Sequence, residues 1–207
     1  MTVDHNFYKF IKDKHFYKGI SMAIIRVGGN LGAGKTTLCK RLAEHLKYRY
    51  SYAGGIFREM AAERNLSIEE FYKQLEAEPE LEKSVDNRQV ELMMTCENLV
   101  AEGRISAFLP YSHQFRAIDL FIKVNEEVGV RRQMNRLENH GKTFEQMLAL
   151  SRRRIQNEQD RYRSLYWIPD HLDEKCYDIV IDATNLSPDE LFEETVRRIE
   201  KHLKKPA

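Results

Sequence analysis

The chain has little of what marks a secreted, membrane-spanning or nucleic-acid-binding protein. Its three cysteines, Cys39, Cys96 and Cys176, are odd in number and widely spaced, so they form no legible disulfide framework and no CxxC pair for a metal or redox centre. A reducing cytoplasm fits that usage. An excess of one charge is missing too. With 33 basic and 32 acidic side chains the net charge is +1, so no overall field attracts DNA, RNA or an anionic membrane, and any polyanion site has to be local. No apolar run approaches the roughly 18 residues of a membrane span, and the N-terminus lacks the continuous apolar stretch of a secretory signal. The expectation is a soluble, cytoplasmic monomer with neither a nucleic-acid nor a membrane partner.

Apolar residues are plentiful. Hydrophobic side chains make up 42% of the 207 residues, enough for a proper core, and the length fits one domain with insertions better than two domains. Apolar runs at 23–27, 98–101, 118–124 and 177–181 read as buried strands, each followed by a helix-like segment. That alternation implies a parallel sheet with helices on both faces. Helix starts are marked by capping boxes at Ser67/Glu70, Thr143/Gln146 and Ser187/Glu190, the last with Pro188 at the first helical position. Residues 56–96, ahead of the run at 98–101, and 128–166, after the run at 118–124, read as helical.

Residues 1–21 stand apart. Asp4, Phe7, Tyr8, Lys9 and Ile11 recur nine residues later as Asp13, Phe16, Tyr17, Lys18 and Ile20, but two copies do not make a repeat architecture. The segment reads either as a dispensable tail, with the folded unit spanning 22–207, or as an aromatic, lysine-rich docking segment.

The most specific signal lies between the first strand and its helix. Gly29-Asn30-Leu31-Gly32-Ala33-Gly34-Lys35-Thr36 matches G-x-x-x-x-G-K-[ST], with Thr37 following. Glycines let the backbone turn with its N–H groups inward, and the helix that follows offers unpaired donors and a partial positive charge. A nucleoside triphosphate is the expected guest: Lys35 can reach its β- and γ-phosphates and the Thr36 hydroxyl can serve Mg²⁺. The loop does not name the acceptor, because hydrolases, switches and small-molecule kinases share it.

A second cluster points to phosphoryl transfer. Arg154, Glu158 and Arg161 fall at i, i+4 and i+7, one face of a helix, where two guanidinium groups held by one carboxylate can close over a transferring phosphoryl group and expel water. The neighbouring stripe of Arg152, Gln156 and Arg163 reads as solvated.

With these residues the sequence resembles, from Ala23 to about Leu203, the short, archaeal-type cytidylate kinases, a branch of the P-loop nucleoside monophosphate kinases. Besides the phosphate loop, "AGGIFREMAAERNLSIEEF" is similar to that family's A-G-D-I-F-R-E-M-A stretch, "DNRQ" to its D-x-R-Q, "AEGRISA" to its E-G-R-L-A, and "RRIQNEQDRYRSLYWIPD" to its arginine-rich lid with a Y-G-I-D ending. The resemblance implies an α/β P-loop NTPase fold: a parallel five-stranded sheet flanked by helices, a monophosphate-binding insertion at 56–96 and a lid at 141–170. It further implies that Arg58 and Arg104 grip the acceptor phosphate, that Asp86 and Arg88 lie at the acceptor base, and that Lys35, Arg154 and Arg161 act on the transferring group, with ATP and Mg²⁺ as co-substrate and cofactor. Glu102 either organises the waters of Mg²⁺ with Thr36 or caps a turn.

The chain departs from the pattern at Gly55, where the family has aspartate, at Trp167 and Pro169 in the lid ending, and over "ISAFLPYSHQFRAI" after Arg104, where His113 is a possible new contact. CMP or dCMP is the implied acceptor. UMP, dTMP or AMP, or a nucleotide-binding module that transfers nothing, are the alternatives.

Overall fold

The computed structural model describes residues 23–67, 70, 71, 74, 78–111, 113 and 115–204; the segment 1–21 lies outside them. Strands β1 (Ala23–Gly29), β2 (Arg49–Tyr52), β3 (Asn98–Glu102), β4 (Arg116–Lys123) and β5 (Ile179–Asp182) pair in parallel in the order β2-β3-β1-β4-β5. Parallel neighbours need crossovers, and helices supply them: α1 (Lys35–Leu46), α2 (Ala53–Glu63), α3 (Pro79–Thr95), α4 (Glu126–Met134), α5 (Phe144–Tyr166) and α6 (Pro188–Leu203).

Side-chain alternation along the strands sorts the core into two layers. Ile25 and Val27 of β1 and Val100 of β3 pack with Leu38 and Leu42 of α1 and with Leu191 and Ile199 of α6. Their sequence neighbours Ile24, Leu99 and Ala101 face the other way, against Met93 of α3, Tyr162 of α5 and Ile168. Both faces of the sheet are therefore covered, as continuous apolar strands require. A third, smaller core holds Ile56, Phe57 and Met60 of α2 against Phe71 and Val85; it belongs to the expected insertion at 56–96. The capping boxes at Thr143/Gln146 and Ser187/Glu190 are formed in full, and Ser67 exchanges hydrogen bonds with Glu70.

The sequence names no apolar run for β2. It lies at the sheet edge and pairs on one side only, so Arg-Tyr-Ser-Tyr needs no buried stripe and carries no run to read. Among the described residues no helix is long and apolar enough to cross a membrane.

The end of α5 is strained. Trp167 closes the helix at φ 59°, in the left-handed region, and is 88% exposed. An L side chain costs about 1 kcal/mol there, and a glycine, which the Y-G-I-D pattern carries after its tyrosine, costs little. Trp167→Gly is expected to raise the unfolding temperature by about 2–4 °C, since little packing is lost. A lower temperature in a thermal melt would mean that the indole makes a stabilising contact.

Candidate active site

In open α/β sheets ligands collect beyond the carboxyl ends of the strands, and there the phosphate loop meets Glu102, Arg104 and the α5 residues Arg154 and Glu158. The phosphate loop leaves β1 at Gly29 and enters α1 through Gly34, which caps the helix at φ 85°. Asn30 fixes the turn from inside: its N–H donates to the Ile122 carbonyl at 3.0 Å and its Oδ1 accepts from the Val124 N–H at 3.1 Å. The loop also lies tight against α4. A Cβ on Gly32, at φ 72°, would come 2.1 Å from the Gly129 carbonyl oxygen, so any side chain there would force the loop off its seat.

Lys35 is the first residue of α1, and its ammonium turns back over the loop to donate to the carbonyls of Gly29 at 3.0 Å and Asn30 at 2.6 Å. Burial, reinforced by the nearby Arg104 charge, lowers its pKa to about 7 against the pull of Glu102 and Glu158. Thr36 and Thr37 are exposed at the same helix start. The Thr36 hydroxyl donates to Glu102 Oε1 at 2.7 Å, and the other Glu102 oxygen accepts a very short hydrogen bond from Tyr50. Glu102 is the last residue of β3 and 9% exposed, so it is not a turn cap. A hydroxyl and a carboxylate converging beside a phosphate loop are the hard oxygen donors that Mg²⁺ takes, the ion keeping several waters. Among the described residues no cluster of three or more metal-ligating side chains competes with that pair.

Arg104 ties the loop to the expected lid. It stands two residues beyond Glu102, donates to the Gly29 carbonyl, and forms an ion pair with Glu158 of α5, with Nε to Oε2 at 2.8 Å. Glu158 is 4% exposed. Burial raises its pKa, but neighbouring His171 and the charges of Arg104 and Arg154 outweigh that and hold the carboxyl well below the ordinary range.

The sequence expects Glu158 to hold Arg154 and Arg161; the structure shows the Arg154 pair and adds Arg104. Glu158 takes Arg154 at 2.9 Å and Arg104, whereas Arg161 turns to its neighbour, donating to the Tyr162 hydroxyl at 3.1 Å with its guanidinium 4.9 Å from the ring centre. Arg161 also lies close enough to Asp86 for that carboxylate to feel its charge.

On the acceptor side the four matched positions separate. Arg58, exposed on α2, donates to the Tyr52 hydroxyl at 2.8 Å and the Gly54 carbonyl at 3.2 Å. Asp86 accepts from the Tyr166 hydroxyl of α5 at 2.7 Å; burial raises its pKa, and Tyr166 and Arg161 lower it. Gln89 donates to the Glu102 carbonyl at 3.1 Å, which locks α3 to the end of β3. Arg88 does not join them. Its fork is taken by Glu63 of α2, at 2.7 and 2.5 Å, on the surface. The guanidinium that Asp86 feels is that of Arg161.

The departures have local causes. A Cβ on Gly55 would stand 2.5 Å from the Tyr52 ring, which stacks on Tyr50 at 5.3 Å, so the aspartate of the family pattern has no room beside this tyrosine. The stretch after Arg104 is pinned by buried Arg26, which donates to the Leu109 carbonyl at 2.9 Å, pairs with Asp119 at 2.6 Å and lies 4.5 Å over the Tyr111 ring. His113 contacts Tyr111 and is exposed. The stripe of Arg152, Gln156 and Arg163 is solvated as expected, with Arg152 paired to Glu126 and Gln156 to Asp160.

One residue of the cluster has no sequence signal. His171 lies in a polar stretch that reads as a solvated loop, yet it is 1% exposed, with Nε2 3.2 Å from Arg104.

The "Cytidylate kinase" of Pyrococcus furiosus is 40% identical over 171 residues, covering 82% of this chain and 84% of that protein, and that of Pyrococcus abyssi is 39% identical over 170 residues, covering 82% and 89%. Among solved structures, a shikimate kinase from Bacteroides thetaiotaomicron superposes with a TM-score of 0.62 at 19% identity, covering 89% of this chain and all of that one, a likeness of fold alone. The model of the cytidylate kinase-like family matches residues 24–185, a span that holds the phosphate loop, Arg58, Arg104 and the whole of α5, and the chain belongs to that family.

Proposed function

We propose that this protein transfers the γ-phosphoryl group of ATP to CMP or dCMP. The observation that carries the proposal is the Arg104 bridge: one guanidinium touches the carbonyl at the head of the phosphate loop and the buried carboxylate of α5, so the donor site and the lid meet at an acceptor-side arginine. Phosphoryl transfer needs positioning and positive charge more than covalent chemistry. In this reading the backbone of Gly29 to Thr37 cradles the ATP phosphates, Lys35 neutralises the β- and γ-oxygens, Arg154 and Arg161 close over the moving group, and Arg58 and Arg104 grip the acceptor phosphate bidentately. Thr36, with waters ordered by Glu102, would hold Mg²⁺, which supplies charge neutralisation on the phosphates.

Cytosine carries an amine donor beside ring acceptors, which a carboxylate and a guanidinium can read together. In this reading Asp86 supplies the carboxylate and Arg88, which Glu63 holds from the neighbouring helix, supplies the guanidinium. A panel of initial rates with ATP, Mg²⁺ and each ribo- and deoxyribonucleoside monophosphate tests the proposal. CMP and dCMP are expected to give the highest kcat/KM; a clear preference for UMP, dTMP or AMP would overturn the base assignment, and tight ATP binding without turnover on any of them would overturn the enzyme.

A further inference from the structure

We propose that His171 is a positioning residue for Arg104, holding its guanidinium for the acceptor phosphate by accepting a hydrogen bond at Nε2. The proposal rests on the reading that Arg104 grips the acceptor. Arginine has no acceptor atom, so a nitrogen 3.2 Å from Arg104 Nη2 has to present a lone pair, and the ring proton then sits on Nδ1. Nδ1 is buried without a hydrogen-bond partner among the described residues, so the ring is placed by its surroundings and by Nε2 alone. Its backbone is fixed from the sheet side, where the Tyr177 hydroxyl donates to the His171 carbonyl at 3.0 Å, and its ring meets Tyr162 edge-on with centres 5.0 Å apart.

Protonation would reverse the contact. The groups facing the ring are Arg104 from the loop after β3, Glu158 and Tyr162 from α5, and Tyr177 ahead of β5. A second proton, on Nε2, turns the acceptor into a donor aimed at Arg104, sets two cations side by side, and offers Glu158, 3.7 Å away, a rival to Arg104. A ring carrying its proton on Nε2 therefore cannot seat Arg104.

The consequence is a split in the kinetics. His171→Phe fills the space without an acceptor and should raise the KM for the monophosphate by about tenfold while the KM for ATP changes little. His171→Gln keeps an amide oxygen that can accept, so its monophosphate KM should stay near the wild-type value. An unchanged monophosphate KM in His171→Phe, or a rise in His171→Gln as large as in His171→Phe, would overturn the proposal. An unchanged monophosphate KM in Arg104→Ala would overturn the reading it rests on, and the proposal with it. Where the glutamine variant does not fold, ¹⁵N spectra of histidine-labelled wild-type protein decide the matter, with the His171 ring assigned through its proximity to Tyr162: the Nδ1–H tautomer is required, and an Nε2–H ring overturns the proposal.

Discussion

Lys35→Ala is expected to lower kcat by about 10²–10³-fold, roughly 3–4 kcal/mol of barrier, the usual cost of removing one preorganised positive group from the reacting centre. Its ammonium already lies over the loop, donating to the Gly29 and Asn30 carbonyls, so it reaches the phosphates without reorganising the chain. Burial and Arg104 draw its pKa to about 7, which means that the protein alone favours this charge weakly and that negative phosphate oxygens restore it. The fold should survive, because Asn30 anchors the loop to β4 independently of Lys35. The check is kcat beside a thermal melt. A loss below about tenfold with an intact fold would show that the loop does not stabilise the transferring charge.

The second large effect lies at Glu158. Its carboxylate holds Arg104 and Arg154 from a site that is 4% exposed, and removing one partner of a buried ion pair leaves the other uncompensated. Glu158→Ala should cost about 3 kcal/mol of stability, some 6–12 °C in unfolding temperature, and turnover should fall because Arg104 and Arg154 both lose their orientation. Arg152→Ala, which breaks only the exposed pair with Glu126, should cost less than about 1 kcal/mol and leave turnover nearly unchanged.

The pH dependence has a fixed sign. The folded state holds the Glu158 carboxyl below its ordinary value of 4.5, so its contribution is complete above that pH and declines as the pH falls below it. The stability gap between wild type and Glu158→Gln should therefore narrow by about 1 kcal/mol from pH 7 to about pH 3.5. A gap that stays constant or widens in acid would show that the ion pairs do not stabilise the fold.

What could be read in the sequence follows from how local its cause is. The phosphate loop and the capping boxes at Thr143 and Ser187 depend on neighbours within a few residues, and the buried strands announce themselves as apolar runs. Strand β2 does not, because an edge strand needs no such run. Glu158 is legible as a holder of arginines, and helical spacing names Arg154, but it cannot name Arg104, 54 residues away in sequence, which reaches it across the site. Arg88 shows the opposite limit, since a motif match cannot reveal that Glu63 on the neighbouring helix has claimed its fork. His171, in "PDHLDEK", looks solvated until the chain folds it under Arg104 and against Tyr162.

The most direct measurement is a single turnover with enzyme in excess over γ-³²P-labelled ATP, with CMP and Mg²⁺ present. The proposed function requires the label to appear on the β-phosphate of CDP, with one ADP formed per label transferred and almost no inorganic phosphate, because a closed site excludes water as a competing acceptor. Label released as inorganic phosphate, or retained in ATP while the nucleotide is demonstrably bound, would contradict it.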